Sequence, residues 1–265
     1  MQCDECGRDF EGRVASIDGE DKVFIKLCPG CRLKEQEQET IDRAKKELEK
    51  IKDDQRWVWY DKCGVEGIFV EKTFENFERQ RQPKAFDTVK GCGDKSLVLL
   101  SPGIYGLGKT HLICALANHL LETKKPASFQ RDSYCIIREE CPVFFITEPK
   151  LLSRIRQTFN RKYDDAETED DVYCALARFP LLIIDDVGKV RPRDYSFLQG
   201  VYFRIVDDRY VQEQNIILST NLGYSELEEH IGGACADRLR EMCGSNILRM
   251  SGKSYRVDKS KRGRK

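Results

Sequence analysis

The chain has 265 residues, enough for one ordinary domain plus a small one, and its 40% hydrophobic and 34% charged residues are typical of a globular protein with a highly charged surface. Basic and acidic residues number 45 each, so the formal net charge is zero, and nucleic acid could be bound only through local patches. The sequence has neither an apolar run of the roughly 18 residues that span a bilayer nor an apolar signal core, so we expect no membrane association and no secretory leader.

The first notable pattern is a pair of C-x-x-C motifs, Cys3/Cys6 and Cys28/Cys31. Four thiolates complete a tetrahedral Zn²⁺ site of the closed, structural kind. We predict a β-hairpin between the pairs, over 13–27, and a segment this short would need the metal in order to fold. A redox C-x-x-C or two disulfides are the alternatives, and neither explains two pairs at opposite ends of a hairpin as well.

Residues 32–56 contain no glycine or proline and are rich in helix formers, so they predict one long charged helix. A connecting helix is slightly favoured over a partner-docking or self-pairing helix, because the apolar seam is narrow and covers under two heptads. The aromatic cluster 57–60 is expected to break the pattern, and 61–95 to be a mixed connector. The seam consists of Ile41, Ala44, Leu48 and Ile51.

A phosphate-binding motif lies at 101–110, which reads SPGIYGLGKT and fits G-x-x-x-x-G-K-[ST]. It follows an apolar strand-like run, 97–100, and precedes a segment with helical apolar spacing. Glycines let several backbone N–H groups point at one phosphate, and the helix N-terminus adds positive potential. Lys109 would reach the β- and γ-phosphates, and the Thr110 hydroxyl would hold Mg²⁺. The candidate nucleotide-binding residues are Gly103, Ile104, Tyr105, Gly106, Leu107, Gly108, Lys109, Thr110, His111 and Asp185.

Two later strands end in polar residues that suit the same site. The apolar run 181–184 ends in Asp185 and Asp186, and 216–220 ends in Asn221. Asp185 fits the Walker B role of holding the Mg²⁺ shell, Asp186 that of activating water, and Asn221 that of orienting it. Each could instead be an ordinary polar strand end or turn residue.

The remaining elements complete a parallel α/β sheet of five strands alternating with helices, whose ligands bind at the carboxyl ends of the strands. The segments are a surface hairpin guessed at 124–142, a strand at 143–147, a helix at 151–159, a helix at 195–211, a late helix containing 236–240, a fifth strand at 247–250 and a basic tail at 259–265.

From about 73 to 256 the chain resembles the DnaC/DnaI/IstB group of AAA+ ATPases, which includes bacterial replicative helicase loaders and transposase helper ATPases. The matching pieces are TFENF, the phosphate loop, LLSRIRQTF, LLIIDDVG, DDRY, IILSTN, DRL and GKSYR, in the order of the family. The N-terminal cysteine module is similar to the zinc-binding, helicase-docking domain of DnaI-type loaders. The resemblance implies an AAA+ P-loop sheet with helices on both faces.

The resemblance also implies roles for individual residues. Asp186 stands where many AAA+ proteins have glutamate, and Asn221 is like sensor 1. Arg238 aligns with the arginine finger that acts on the ATP of a neighbouring subunit, which implies an ATP-dependent homo-oligomer. The helix 151–159 corresponds to the region that contacts single-stranded DNA, with Arg154 and Arg156 as candidates.

We therefore expect an ATPase, slow on its own, that uses ATP, Mg²⁺ and Zn²⁺ and loads the replicative DNA helicase onto single-stranded DNA in the cytoplasm. An IstB-like transposition helper, or an ATP-binding switch or adaptor with little hydrolysis, is the alternative. The eight scattered cysteines are interpreted as free packing residues, since cytoplasmic thiols stay reduced. The predicted organisation is a zinc module at 1–34, a helical linker at 35–60, a connector at 61–95, the ATPase domain at 96–258 and a basic tail at 259–265.

Overall fold

A computed structural model describes residues 2–11, 14–17, 20–23, 27–124, 141–159 and 167–256, with the backbone alone for 14–17, 20–23, 44, 45 and 47–57. The chain divides into two compact units, Met1–Gln55 and Arg56–Lys265. The hairpin guessed at 124–142 falls almost wholly, and the basic tail wholly, outside the described residues. None of the helices in the described ranges has the length and apolar character of a bilayer-crossing segment.

The first unit contains the predicted hairpin. Strand β1 (Val14–Ile17) pairs antiparallel with β2 (Glu20–Val23), so that Val14 faces Val23 across the ladder. Helix α1 (Pro29–Lys62) then begins inside the second C-x-x-C pair.

Helix α1 runs past the point where the sequence predicted a break. The aromatic cluster 57–60 was expected to end the helix, and that prediction is wrong, since α1 continues to Lys62. Its Trp59 is only 3% exposed and belongs to the core of the second unit. Burial of this large side chain stabilises the helical turn that carries it, which the local sequence pattern does not show.

The second unit is built on a five-stranded parallel sheet, as predicted. The strands lie in the order β4-β5-β6-β3-β7, and every neighbouring pair is parallel. All five carboxyl ends therefore lie along one edge of the sheet, the edge at which ligands of such folds bind. The strands are β3 (Leu97–Leu100), β4 (Val143–Thr147), β5 (Leu181–Val187), β6 (Asn215–Thr220) and β7 (Ile247–Arg249).

Helices cover both faces of the sheet. Successive β3 residues point to opposite faces, so Leu97 and Leu99 belong to one buried cluster and Val98 and Leu100 to the other. The helices of this unit are α2 (Pro83–Cys92), α3 (Lys109–Thr123), α4 (Glu148–Thr158), α5 (Glu169–Ala177), α6 (Ser196–Val211), α7 (Tyr224–Ile231) and α8 (Gly233–Cys243), with 3₁₀ turns at Gly67–Phe69 and Arg79–Arg81.

The segment 61–95 is more than a connector. It contains α2, and its Phe74 and Phe86 are buried in the core cluster on the α3 side of the sheet, with ring centroids 5.5 Å apart. The sequence did not predict α2, because glycines flank and interrupt the segment. Its apolar residues are buried in the same cluster as those of α3, and the local sequence does not indicate that contact.

A buried arginine ties the amino ends of two strands to the helix between them. Arg209 on α6 is 1% exposed and donates hydrogen bonds to the carbonyl oxygens of Leu176, Phe179, Pro180 and Asn215. Burial lowers the pKa of its guanidinium to about 10, which still leaves the group charged at neutral pH.

We expect Arg209→Met to lower the free energy of unfolding by about 3 kcal/mol or more, because it leaves several buried carbonyl groups without donors. Urea titration of the variant measures this loss. The matched control is Arg204→Met on the same helix, whose half-exposed side chain pairs with Asp170 at 2.7 Å and which we expect to cost no more than about 1 kcal/mol. Equal losses in the two variants would contradict the assignment of Arg209 as a structural link.

Candidate nucleotide and metal sites

The phosphate loop joins β3 to α3 and takes a backbone path that needs glycine. Gly103, Gly106 and Gly108 have φ angles of 66°, 73° and 93°. A Cβ on Gly106 would lie 2.4 Å from the Ser254 hydroxyl oxygen, and one on Gly108 would lie 2.7 Å from the Phe77 ring. The backbone is left-handed at all three positions, which favours glycine, and at Gly106 and Gly108 close packing also excludes a larger side chain.

Lys109 points into the centre of this loop. Its ammonium donates to the Ser101 hydroxyl at 2.5 Å and to the Asn221 side-chain oxygen at 2.6 Å, and the residue is 6% exposed. Burial lowers the pKa of this ammonium, an effect that the carboxylates of Asp185 and Asp186 oppose. The ammonium is partly desolvated and bonded to neutral oxygens, so an anionic acceptor such as phosphate would form stronger hydrogen bonds with it.

The predicted magnesium ligands are brought together across the sheet. The Thr110 hydroxyl donates to an oxygen of Asp185 at 2.8 Å, and the Ser219 hydroxyl donates to the other oxygen of that carboxylate. Burial raises the pKa of the Asp185 carboxyl, while the Ser219 and Thr110 hydrogen bonds act in the opposite direction. A hydroxyl beside a carboxylate is an oxygen donor set that suits Mg²⁺. Ser219, the penultimate residue of the β6 strand, was not predicted as part of this site.

Asp186 occupies an unusual backbone conformation. Its φ angle is 59°, in the left-handed region that residues other than glycine seldom adopt, and such strain costs about 1–3 kcal/mol. Its carboxylate lies 3.1 Å from the Lys189 ammonium, on the exposed side of the strand end. Strain of this kind concentrates at functional sites, where the surrounding structure holds it in place.

Two distant segments pack against the loop. His111 turns its ring toward 73–77, with Nε2 2.7 Å from the Asn76 side-chain oxygen, and its ring centroid lies 5.1 Å from that of Phe77. The Tyr255 amide donates to the Gly106 carbonyl at 2.9 Å. In the sequence both segments were noted only as parts of the family resemblance. In the structure both contact the phosphate loop or the first residues of α3.

Arg238 contacts helix α6 of its own subunit. Its guanidinium pairs with Asp207 at 2.8 Å and lies over the Phe203 and Tyr210 rings, 5.0 and 5.9 Å from their centroids. The side chain remains 30% exposed, so it lies at the surface of the α6–α8 pair and outside the phosphate site of its own chain.

The two arginines of α4 differ in their surroundings. Arg154 forms hydrogen bonds through two nitrogens to the Glu167 carboxylate. Arg156 is exposed and lies over the Phe197 ring, 5.5 Å from its centroid. The structure therefore leaves Arg156 available to a ligand and engages Arg154 within the chain.

The four N-terminal cysteines form one cluster in the first unit. Their sulfur atoms all lie within 4.8 Å of one another, and those of Cys6 and Cys28 are 3.7 Å apart. Zn–S bonds of 2.3 Å in a tetrahedron require sulfur atoms about 3.8 Å apart, so the cluster fits a zinc ion. The Cys28 amide donates to the Cys3 sulfur at 3.3 Å, and this bond, together with backbone hydrogen bonds from Cys6 and Glu5, lowers the pKa of the Cys3 thiol to about 6, which favours the thiolate form that metals bind. Hydrogen bonds with the other cysteines of the cluster raise the pKa of the Cys31 thiol.

Comparisons with known proteins agree with this geometry. Residues 38–263 match the family model of the IstB-like ATP-binding proteins. The protein YdaV of Escherichia coli (strain K12) is 23% identical over 202 residues, which are 74% of this chain and 72% of YdaV.

Among solved structures, the DnaC helicase loader matches with a TM-score of 0.53 and 19% identity, covering 70% of this chain and 100% of that one. The replication initiator DnaA bound to AMPPCP and single-stranded DNA matches with a TM-score of 0.52 and 19% identity, covering 69% of this chain and 50% of that one. Structural matches at identities this low show the fold alone, and they confirm the predicted AAA+ fold of the sheet. The family model covers most of the chain. The chain belongs to the family of IstB-like ATP-binding proteins.

Proposed function

We propose that this protein is an ATP-dependent loader of the replicative DNA helicase. The observation that carries the proposal is the pairing, on one chain, of a nucleotide site in a DnaC-like sheet with a separate four-cysteine cluster. The sheet supplies an ATP-driven switch, and the cysteine cluster, which would hold zinc, belongs to a small module that grips the helicase. The long helix α1 follows that module directly.

ATP hydrolysis in this proposal uses the strand-end residues. Lys109 and the loop amides bind the β- and γ-phosphates, and Thr110 and Asp185 would hold Mg²⁺, which would neutralise charge on the phosphate oxygens. The oxygen of a water oriented by Asn221 bonds to the γ-phosphorus while its proton passes to Asp186. The bond to the bridging oxygen breaks, and ADP leaves with the electron pair. The carboxylate of Asp186 reaches less far than glutamate, which fits slow hydrolysis by the protein alone.

Assembly of several subunits is proposed for the complete site. A cation that stabilises the transition state from a neighbouring subunit must lie at the surface, and Arg238 does so on the α6–α8 pair. Asp207, Phe203 and Tyr210 hold its guanidinium there.

The proposed surface for single-stranded DNA lies on α4 and the start of α6. Phe159 is 57% exposed, and its ring packs edge-on against Phe197 with centroids 5.7 Å apart. The guanidinium of Arg156 also lies over the Phe197 ring, 5.5 Å from its centroid. A cation beside an exposed aromatic ring is the combination that binds single strands, because bases stack on the ring and phosphates pair with the charge.

We expect Phe159→Ala to weaken binding of a thymidine oligonucleotide by about tenfold at any salt concentration, the loss of one stacked base. Arg156→Ala should weaken binding mainly at low salt and reduce the slope of log affinity against log salt concentration, because it removes one phosphate contact. Fluorescence anisotropy at several salt concentrations measures both effects. The control is Arg249→Ala, an exposed arginine on β7, which should bind as the wild type does. Wild-type affinity in both α4 variants would exclude this surface.

The second candidate is a transposition helper, which the family match favours. The two proposed functions differ in the protein that is bound, which is the replicative helicase for a loader and a transposase for a helper. Full-length protein should capture the replicative helicase of its host in a pull-down, and capture should disappear when the cysteines are replaced. Capture of a transposase in place of the helicase would shift the assignment to the helper.

A further inference from the structure

The turn that follows Asp186 is held from two sides. The Lys189 amide donates to the Asp186 carbonyl at 3.2 Å, which closes the turn. Gly188 within it has a φ angle of 86°, and a Cβ there would lie 2.4 Å from a methyl carbon of Leu222, the residue after Asn221. One side of the turn therefore rests on the segment that follows β6.

A buried carboxylate holds the other side. Glu148, the first residue of α4, has no solvent exposure. One of its oxygens accepts hydrogen bonds from the Gly188 amide at 3.1 Å and the Val190 amide at 3.0 Å. The other accepts from the Tyr202 hydroxyl at 2.9 Å and lies 2.6 Å from Nε2 of His230. Every oxygen of this carboxylate is thus used, and half of its partners are backbone groups of the Asp186 turn.

The position of Glu148 follows from the sheet register. Thr147, the last residue of β4, lies opposite Asp185 on β5. Glu148 follows Thr147 and Asp186 follows Asp185, so the Glu148 carboxylate lies beside the turn. Burying a carboxylate is costly unless it is fully hydrogen-bonded, so an apolar side chain would fill the same space at lower cost if packing were the sole requirement.

We propose that Glu148 is a positioning residue for ATP hydrolysis, acting through the backbone of 188–190 to hold the Asp186 carboxylate where it can accept the proton of the attacking water. The inference rests on the proposed ATPase function. Asp186 occupies a strained backbone conformation that only its surroundings can maintain. The two hydrogen bonds that the Gly188 and Val190 amides donate to one fixed oxygen prevent the turn from relaxing to an ordinary conformation, which would redirect the Asp186 carboxylate.

The test compares two conservative variants of one network. Glu148→Gln keeps the volume but replaces one acceptor oxygen with a donor nitrogen. We expect kcat to fall by at least about tenfold, since misplacement by an ångström or so costs that much or more. The ATP dissociation constant should stay within about twofold, because the phosphate loop does not contact Glu148. Tyr202→Phe removes one hydrogen bond to the same carboxylate but spares the turn, so it should retain more than half of the wild-type kcat.

Amide hydrogen exchange gives a readout that needs no turnover. Glu148→Gln should speed exchange at 188–190 more than in the rest of β5 and α6, and Tyr202→Phe should not. If Glu148→Gln does not fold, Glu148→Asp withdraws the carboxylate by one methylene and should show the same pattern in milder form. A wild type that binds ATP but turns none over would defeat the proposed function, while exchange at 188–190 would still decide the role of Glu148.

Three results would overturn the inference. They are wild-type kcat in folded Glu148→Gln, an equal loss of kcat in Tyr202→Phe, and unchanged exchange at 188–190 in Glu148→Gln. The second would show that Glu148 contributes stability alone.

Discussion

Lys109→Ala should weaken ATP binding by at least about a hundredfold, because it removes the buried ammonium that would donate to the phosphates. The same variant should fold as well as the wild type without nucleotide. Burial lowers the pKa of the Lys109 ammonium, which means that the charged form is disfavoured in the folded protein until an anion arrives. We therefore expect the unliganded melting temperature to be unchanged or higher, and the rise on adding ATP and Mg²⁺ to disappear.

The measurement is thermal unfolding with and without nucleotide, together with isothermal titration. The matched control is Lys84→Ala, an exposed lysine on α2, which should keep the full ATP-dependent rise. Zinc content should be unchanged in both variants, because the cysteine cluster belongs to the other compact unit. An ATP-dependent rise of wild-type size in Lys109→Ala would contradict the assignment of the phosphate site.

The combined replacement Cys28→Ser and Cys31→Ser should unfold the first unit and abolish capture of the helicase. It removes two of the four sulfur ligands of the cluster, and for small zinc modules metal binding supplies about 10–16 kcal/mol of folding free energy. ATP binding should stay within about twofold of the wild-type value, because no cysteine of this cluster lies near the phosphate loop in sequence or belongs to its unit.

Zinc per chain, measured by atomic emission, and a helicase pull-down give the two readouts. Cys174→Ser is the control, since this exposed thiol lies on α5 outside the cluster. Helicase capture that persists after zinc is lost would refute the docking role, and a variant that retains one zinc per chain would refute the ligand set.

The sheet and the phosphate loop could be predicted because their signals are local. A strand of four apolar residues, a glycine loop and a helical pattern follow one another without interruption at 97–123, and each later strand carries its polar residue at the end that faces the loop. Parallel pairing then brings Lys109 and Asn221 together, as the structure shows.

What could not be predicted depends on tertiary contacts. Trp59 prolongs α1 because a distant core covers it, and nothing in its neighbours indicates that core. The hydrogen bond between Arg154 and Glu167, thirteen residues away in sequence, is a further contact that the sequence did not indicate, and the predicted DNA contact of Arg154 stays a prediction. Glu148 looks like an ordinary helix-starting acid, and only the β4–β5 register reveals that it is buried against the Asp186 turn.

The central claim is that ATP binding at Lys109 drives delivery of a helicase to single-stranded DNA. The most direct measurement is the amount of replicative helicase retained on a closed circular single strand after a salt wash, with the full-length protein, ATP and Mg²⁺ present. We expect retention to rise several-fold over helicase alone and to return to that baseline with Lys109→Ala. Retention that is the same with and without the protein, under conditions where the two proteins bind each other, would contradict the loader function.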